Sequence, residues 1–263
     1  MPKFVYRFAE GNKDQKDLLG GKGANLAEMQ NLGLPVPPGF TITTDACRAY
    51  LKEGIVPEEV AVQSTKALRE VEDEVGRKLG DPSDPLLVSV RSGAKFSMPG
   101  MMETVLNVGL NDESVKGLAA RANNERFAWD SYRRLIQMFG KTVQDIDGDL
   151  FLNAMDDLKK ARGVKLDTEL NTEDLKELTD TFKQIVLDAT GQPFPQDPRK
   201  QMDMAIEAVF RSWNSERAQI YRRRERIPHD LGTAVNICTM VFGNMGDDSG
   251  TGVCFTRDPS SGR

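Results

Sequence analysis

Cysteine and histidine are scarce in this chain, which has three cysteines and one histidine among its 263 residues. No two cysteines form a Cys-x-x-Cys pair, and their number is odd. We therefore expect Cys47, Cys238 and Cys254 to be reduced, mostly buried thiols. A catalytic cysteine paired with a histidine would have only His229 as its partner, which disfavours that class of enzyme.

Signals for a membrane or a nucleic-acid partner are also missing. No apolar run approaches the roughly 18 residues of a spanning helix. The first residues have neither the apolar core of a signal peptide nor an Arg/Ser-rich transit segment. The net charge of −5 argues against nucleic-acid binding through bulk electrostatics. With 39% hydrophobic and 29% charged residues, the composition is typical of a soluble globular chain with one large or two modest domains. We expect a cytoplasmic protein.

The most informative stretch is residues 88–107. The β-branched run at 86–90 follows an Asp-Pro pair and predicts a buried strand entered from a turn. Arg91 stands where that strand is predicted to end, and ligands of open α/β sheets gather at the carboxyl ends of strands. A permanent cation there suits an anion, and the small residues 92–94 let backbone amides approach a phosphate.

Residues 97–102 combine three methionines with a Pro-Gly turn. Pro99 and Gly100 interrupt any helical spacing, so the methionines do not form the stripe of a core helix. One interpretation is a flexible loop whose soft side chains cover a flat ring or a phosphate. The alternative is a turn whose methionines fill an irregular gap.

A second glycine-rich segment, Gly-Gly-Lys-Gly at 20–23, leads into a predicted helix that stops at Gly33. This arrangement places backbone amides and the positive end of a helix dipole beside Lys22, which suits phosphate. It is not a P-loop, because glycine follows the lysine where Ser or Thr is required. Nor is it Gly-x-Gly-x-x-Gly, because Leu26 holds the third glycine position. On spacing alone, an ordinary helix-capping turn is favoured.

The remaining pattern before residue 88 predicts scaffold elements. We expect a strand at 3–8, a polar connection at 10–19, a proline turn and Thr/Ile strand within 34–44, a helix at 46–51 capped by Asp45, and a helix within 57–79.

After residue 107 the pattern is helical for about ninety residues, which is not the pattern of a continuing sheet. One predicted helix ends at Gly140, and another is capped by Asn171 or Thr172. We interpret residues 109–196 as a helical insert between two halves of one domain.

An Asp-Pro pair at 197–198 predicts the start of a further helix that runs to Arg226. We expect this helix to bury Met202, Ile206, Val209, Trp213 and Ile220. Its last turns carry four arginines, which we interpret as a solvated face at the negative end of the helix. Contact with a nucleotide or another domain is the alternative. His229, in the loop that follows, is interpreted as structural or solvated.

The last segment alternates apolar residues over 233–244 and predicts a long strand. A glycine-rich loop at 243–252 and a second apolar run at 253–257 predict a hairpin with a returning strand. Such a loop can lay backbone amides over a triphosphate, and an ordinary flexible hairpin is the alternative.

Several of these strings resemble the amino-terminal nucleotide-binding region of pyruvate phosphate dikinases. The most specific is Val-Arg-Ser-Gly-Ala followed by Ser-Met-Pro-Gly-Met-Met-Glu-Thr-Val-Leu-Asn. The segment Gly-Gly-Lys-Gly-Ala-Asn-Leu-Ala-Glu-Met and the segment Ser-Gly-Thr-Gly-Val-Cys-Phe-Thr-Arg are similar to segments of the same family. The resemblance spans essentially the whole chain.

The resemblance implies an ATP site in this chain and catalysis elsewhere. It implies that ATP and its phosphates contact seven residues: Lys22, Arg91, Gly100, Met101, Met102, Thr251 and Gly252. It implies no catalytic residue here, because the family's phosphate-carrying histidine lies in a later domain. It also implies Mg²⁺ held by residues downstream of the chain end, orthophosphate as a second substrate, and pyruvate bound by a further domain of a homodimeric enzyme. The implied reaction converts ATP, phosphate and pyruvate to AMP, pyrophosphate and phosphoenolpyruvate through a phosphohistidine.

The expected fold class is α+β: a partial ATP-grasp nucleotide-binding fold with an inserted helical subdomain. We expect residues 1–108 to form the first part of the ATP-binding domain, 109–196 the helical insert, and 197–263 a return helix and the incomplete start of a second lobe. The chain is expected to stop within the ATP-grasp fold and to be inactive alone.

Two alternatives stay open. One is a related dikinase, such as phosphoenolpyruvate synthase or a glucan-phosphorylating enzyme, for which a different loop after the Arg-Ser pair is expected. The other is a truncated, non-catalytic module that binds nucleotide weakly or not at all.

Overall fold

Five strands form one antiparallel sheet in the order β1-β2-β5-β3-β4. The computed structural model describes residues 2–263. The strands are β1 (Val5–Arg7), β2 (Gly39–Ile42), β3 (Val88–Gly93), β4 (Thr104–Val108) and β5 (Ala234–Thr239). Together with nine α-helices in the described part of the chain, they make an α+β protein.

The helices account for most of the remaining chain. They are α1 (Lys16–Asn31), α2 (Thr44–Glu53), α3 (Glu58–Val75), α4 (Ser114–Ala122), α5 (Glu125–Val143), α6 (Gly148–Arg162), α7 (Thr172–Thr190), α8 (Pro198–Ser212) and α9 (Glu216–Arg224). Asn171 caps α7 and Asp197 caps α8, each through its side-chain oxygen, as the sequence predicted. The expected cap of α2 is wrong, because Thr43 accepts from the Ala46 amide and Asp45 instead pairs with Arg48.

Helix α1 starts earlier than the sequence predicted. It begins at Lys16, inside the expected polar connection, and is interrupted at Gly20. Gly20 has φ +68° and ψ 171°, a backbone region that is essentially restricted to glycine. The chain therefore restarts its helix at the Gly-Gly-Lys-Gly segment, and the helix ends just before Gly33 as expected.

The position of Arg91 corrects the strand-end interpretation. Strand β3 continues through Gly93, so Arg91 lies inside it, paired with Thr104 of β4 and Asn236 of β5. Every strand pair in the sheet is antiparallel, whereas ligand sites at carboxyl ends are a rule of parallel α/β sheets. Arg91 is exposed, because alternate residues of a strand point to opposite faces and its side chain lies on a face that is open at this position.

Four helices, α4 to α7, follow β4 and pack through helix α5. Aromatic pairs join them, with Phe151 and Phe182 meeting edge to face at 5.1 Å. The expected end of α5 at Gly140 is wrong, because the helix runs on to Val143. Gly140 lies inside the helix where a Cβ would stand 2.6 Å from the Phe151 ring. The glycine thus permits close packing of α6 and does not end the helix.

The long helix expected from Pro198 to Arg226 is two helices. The helical conformation is interrupted between Ser212 and Glu216, and Ser215 caps α9. Because α9 changes direction, Ile220 is 50% exposed and not buried as expected.

The expectation that the arginines at the end of this helix form a solvated face is wrong for Arg222, which is 1% exposed. Its guanidinium carbon lies 4.0 Å from the centre of the Trp213 ring, and its Nε donates to His229 Nδ1 at 3.2 Å. His229 itself is exposed and accepts the Trp213 indole N–H on its carbonyl oxygen at 2.8 Å. His229 therefore ties the loop after α9 to the corner between the two helices, which agrees with a structural role.

The predicted hairpin after β5 is wrong. Strand β5 ends at Thr239, and residues 240–263 contain no strand. The apolar residues expected in the hairpin are exposed, with Val253 at 82% and Phe255 at 64%. A returning strand gains stability only by burying one face, and nothing in residues 2–263 covers these side chains.

The three cysteines differ in burial. Cys47 is buried, and its burial raises the pKa of the thiol to about 12. Cys238 is partly buried, and Cys254 is exposed in the irregular segment after β5, so the expectation of mostly buried thiols is wrong for Cys254. In residues 2–263 no helix is long and apolar enough to cross a membrane.

Candidate functional site

A cleft of about 640 Å³ opens between α1 and the chain that follows β3. It is lined by residues between 16 and 29 and between 92 and 104, and we call it the Lys22 cleft. Its lining includes Lys16, Lys22 and Lys95 and contains no carboxylate. A larger cleft of about 940 Å³ beside α7 mixes two lysines with three aspartates. Asp17, outside the lining, pairs with Lys95, which leaves Lys16 and Lys22 as the charges of the smaller cleft that pair with no carboxylate among residues 2–263. Because unbalanced positive charge attracts anions, the smaller cleft is the candidate site.

Glycines let α1 approach the sheet closely at the floor of this cleft. A Cβ on Gly23 would stand 2.8 Å from both Thr41 Oγ1 and Asn236 Oδ1, and a Cβ on Gly93 would stand 2.4 Å from Asn236 Nδ2. Thr41 donates to Asn236 Oδ1 at 2.9 Å within the buried sheet. The glycines therefore serve packing, and this packing carries Lys22 to the mouth of the cleft.

Lys22 lies half-buried at the first turn after the interruption of α1. Its Nζ donates to the carbonyl oxygen of Ser92 at 2.8 Å, which fixes the ammonium beside β3. Burial, and secondarily the charge of Arg91, lower the pKa of Lys22 to about 8. The charge of an added anion would offset the hydration that this half-buried ammonium has lost.

Arg91 does not line the cleft but lies close enough to lower the pKa of Lys22. Its guanidinium makes no hydrogen bond or ion pair with any of residues 2–263. Arg91 and Cys238 lie on the same face of the sheet. Burial raises the pKa of the Cys238 thiol, and the positive charge of Arg91 partly opposes that rise. The cation is therefore available to an anion that extends from the Lys22 cleft over β3.

Two lysines of the cleft were not identified from the sequence. Lys95 follows β3 and pairs with Asp17, Nζ to Oδ1 at 2.5 Å, and Lys16 opens α1. Isolated lysines in polar loops carry no spacing signal, so only the closure of α1 on β3 identifies them. The Lys95–Asp17 pair also joins the start of α1 to the chain after β3.

Residues 97–103, which we call the methionine segment, form one side of the Lys22 cleft. Met98 is 8% exposed and packs in the core, while Gly100 is exposed with φ +72° and open space around it. Met98, Gly100 and Met102 line the cleft, whereas Met101 does not, and Met101 and Met102 both pack partly buried against the core. All three methionines therefore pack against the core, which agrees with the gap-filling interpretation, while the covering of a ring or a phosphate by this turn stays a prediction.

Thr251 and Gly252 are exposed and are not among the residues that line the Lys22 cleft. They lie in the irregular segment after β5. The structure therefore brings Lys22, Gly100 and Met102 to one cleft, with Arg91 beside it, and leaves Met101, Thr251 and Gly252 outside its lining.

No group of three or more His, Cys, Asp or Glu side chains within residues 2–263 is arranged to hold a metal ion. The lining of the Lys22 cleft also lacks the carboxylate oxygens that Mg²⁺ prefers. The residues of this cleft therefore do not fit a magnesium ion on their own.

Comparison with known proteins identifies the family of the chain. A family model described as "Pyruvate phosphate dikinase, AMP/ATP-binding domain" matches residues 16–65 and 53–263. The chain is 53% identical over 264 residues to pyruvate, phosphate dikinase of Clostridium symbiosum, covering 100% of this chain and 30% of that protein. It is 54% identical over 265 residues to pyruvate, phosphate dikinase 1, chloroplastic, of Zea mays, covering 99% of this chain and 28% of that protein.

A relative from Mesembryanthemum crystallinum, pyruvate, phosphate dikinase, chloroplastic, is 56% identical over 255 residues, covering 97% of this chain and 27% of that protein. The chain spans less than a third of the length of these relatives. The family match covers nearly all of the chain. This chain therefore belongs to the pyruvate phosphate dikinase family and corresponds to its AMP/ATP-binding domain.

Proposed function

We propose that the Lys22 cleft binds the phosphates of ATP. The observation that carries this proposal is the charge at the cleft. Lys16 and Lys22 in the lining and Arg91 beside it pair with no carboxylate among residues 2–263, whereas Lys95 pairs with Asp17. A volume of about 640 Å³ lies in the range of small-molecule sites. The net charge of −5 for the whole chain makes this concentration of cations a local feature.

In this proposal the cations neutralise phosphate oxygens, and the methionine segment closes over them. Phosphoryl transfer depends mainly on positioning and charge neutralisation, which Lys22 and Arg91 would supply. Gly100 borders the cleft in a turn with positive φ, where a backbone amide can approach a phosphate. Met101 belongs to the same proposed segment, while Thr251 and Gly252 would join it only after residues 240–263 move.

We propose that the whole protein carrying this chain converts ATP, phosphate and pyruvate to AMP, pyrophosphate and phosphoenolpyruvate. The family match supports this proposal, as does the 53% identity to the Clostridium symbiosum relative over the whole of this chain. The phosphohistidine and the pyruvate site would lie in other parts of a homodimeric protein. The cytoplasmic location remains a prediction, and several relatives are named chloroplastic.

The proposed fold is a partial ATP-grasp in which residues 1–108 and 197–263 flank a helical insert at 109–196. In support, β5 from the last segment lies in the centre of the sheet, between β2 and β3. Magnesium would neutralise the triphosphate, and its ligands would come from residues beyond this chain, since the cleft lining lacks carboxylates.

Calorimetric titration of the whole protein with a non-hydrolysable ATP analogue and Mg²⁺ tests the site. We expect Lys22→Ala and Arg91→Ala each to weaken binding about tenfold or more, as for a charged partner lost from a phosphate. Arg69→Ala is the control, because Arg69 is an exposed arginine on α3. Equal effects of Arg69→Ala and Arg91→Ala would contradict the proposal.

The two half-reactions test the assignment of the chemistry. Replacing Lys22 or Arg91 should suppress the reaction of ATP with phosphate and spare the exchange between pyruvate and phosphoenolpyruvate. Equal loss of both half-reactions would show that these residues do not act through ATP.

A further inference from the structure

The methionine segment is anchored to α9 by a single side chain. Arg217 Nε donates to the carbonyl oxygen of Met101 at 3.2 Å, and its Nη2 pairs with Glu103 Oε1. One planar guanidinium therefore holds both a backbone carbonyl and a carboxylate of the same short segment. Lysine cannot reproduce this geometry, because its ammonium is a compact charge without a fork.

Two further helices hold Glu103 in place. Thr142 of α5 donates its hydroxyl to Glu103 Oε2 at 3.3 Å, and the Glu103 amide donates to Ser212 Oγ of α8 at 3.5 Å. Ser212 is buried and is the last residue of α8. Glu103 thus joins three helices, and Arg217 reaches it only because the chain turns between α8 and α9.

The other end of the segment is anchored in the core. Met98 is buried, and its carbonyl oxygen accepts the Met101 amide at 3.1 Å across the Pro-Gly turn. The exposed tip at Pro99 and Gly100 therefore lies between a core anchor and the Arg217 anchor. Loss of either anchor would let the tip leave the mouth of the Lys22 cleft.

We propose that Arg217 is a positioning residue for nucleotide binding, which acts by holding residues 97–103 at the edge of the Lys22 cleft. This inference rests on the proposed function. Arg217 is not one of the residues that line that cleft, so its effect passes through the segment. If only a fraction of the molecules hold this segment at the cleft, the apparent affinity for the nucleotide falls in proportion to that fraction.

The test uses the whole protein with Arg217→Gln, Arg217→Lys and the control Arg211→Gln. Arg211 and Arg217 have equally exposed side chains at 46%, and each contacts one carbonyl and one carboxylate. Arg211, however, bonds to Val143 and Asp145 at the end of α5. Amide hydrogen exchange over residues 97–103 reports the segment, and titration with the ATP analogue reports binding.

We expect Arg217→Gln to speed exchange over residues 97–103 and to raise the Kd for the analogue about fivefold, as for a competent fraction reduced to about one fifth. Arg217→Lys should give an exchange rate and a Kd between those of the wild type and Arg217→Gln. Arg211→Gln should change neither the exchange rate nor the Kd. Glu103→Gln combined with Arg217→Gln should weaken binding no more than Arg217→Gln alone, because both changes remove the same anchor.

Faster exchange with an unchanged Kd would overturn the positioning role and leave Arg217 a purely structural anchor. Unchanged exchange and unchanged Kd would overturn the anchor itself. If the wild-type protein does not bind the analogue, the proposed function fails, whereas the exchange measurement still decides whether Arg217 holds the segment.

Discussion

Gly20 of α1 and Gly93 of β3 meet backbone to backbone. A Cβ on Gly20 would stand 1.5 Å from the carbonyl oxygen of Gly93, and the φ of Gly20 is +68°. Both the space and the backbone conformation therefore require glycine. This contact sets how closely α1 approaches the sheet, and with it the position of Lys22.

Replacing Gly20 with alanine should destabilise the fold strongly. We expect Gly20→Ala to lower the free energy of unfolding by about 3 kcal/mol, from positive φ and overpacking together. Gly33→Ala is the control, because Gly33 has φ +77° but nothing within 4 Å of a Cβ, and it should cost about 1 kcal/mol. Urea unfolding measures both values, and equal costs would refute the role of the Gly93 contact.

Nucleotide affinity should fall as the pH rises through the pKa of Lys22. Burial and the neighbouring Arg91 lower this pKa to about 8, so the ammonium loses its proton between pH 7 and 9. Titration with the ATP analogue should therefore give a rising Kd over this range. Lys22→Arg is the control, because arginine stays charged throughout. An equally steep rise in Lys22→Arg would assign the pH dependence to another group.

The same lowered pKa has the opposite effect on stability. Above pH 8 the folded protein has released the Lys22 proton, whereas the unfolded chain keeps it up to about pH 10.4. The unfolded state then binds more protons, so this group makes the fold more stable as the pH rises through that window. In the wild-type protein, stability and affinity should change in opposite directions there.

Removing Arg91 should raise the pKa of Lys22. A like charge nearby disfavours the ammonium, and Arg91 is the charged group that lowers this pKa after burial. In Arg91→Met, NMR titration of the Lys22 Nζ signal should therefore give a midpoint above pH 8. Arg69→Met on α3 should leave the midpoint unchanged. An unchanged midpoint in Arg91→Met would place Arg91 too far from Lys22 to share a phosphate.

Trp213 should matter more to stability than the other tryptophan. Its ring is 1% exposed, packs against Arg222 and donates its N–H to His229. Trp213→Phe removes that hydrogen bond and part of the contact, so we expect a loss of about 2 kcal/mol. Trp129→Phe, at a partly buried site, should cost less than about 1 kcal/mol. Denaturant unfolding compares the two, and a larger cost at Trp129 would contradict this.

Local patterns predicted two helix caps correctly. The side-chain oxygens of Asn171 and Asp197 cap α7 and α8 as expected, because a cap depends on residues within one turn. The helix expected within 57–79 forms as α3 for the same reason. The predictions failed where a distant partner decides: Gly140 permits contact with Phe151, and Arg222 turns back onto Trp213.

The candidate site shows the same division. The sequence by itself determined that a lysine stands in a glycine-rich segment beside a helical pattern, that a Pro-Gly turn interrupts three methionines, and which family these strings resemble. Those features are local, and they were predictable from residue types and spacing. Only the tertiary structure decided that Lys95 joins Lys22, that Arg91 lies within a central strand, and that Arg217 holds the methionine segment. These relationships join residues far apart in the chain, and the packing of α1 and α9 around one antiparallel sheet creates them.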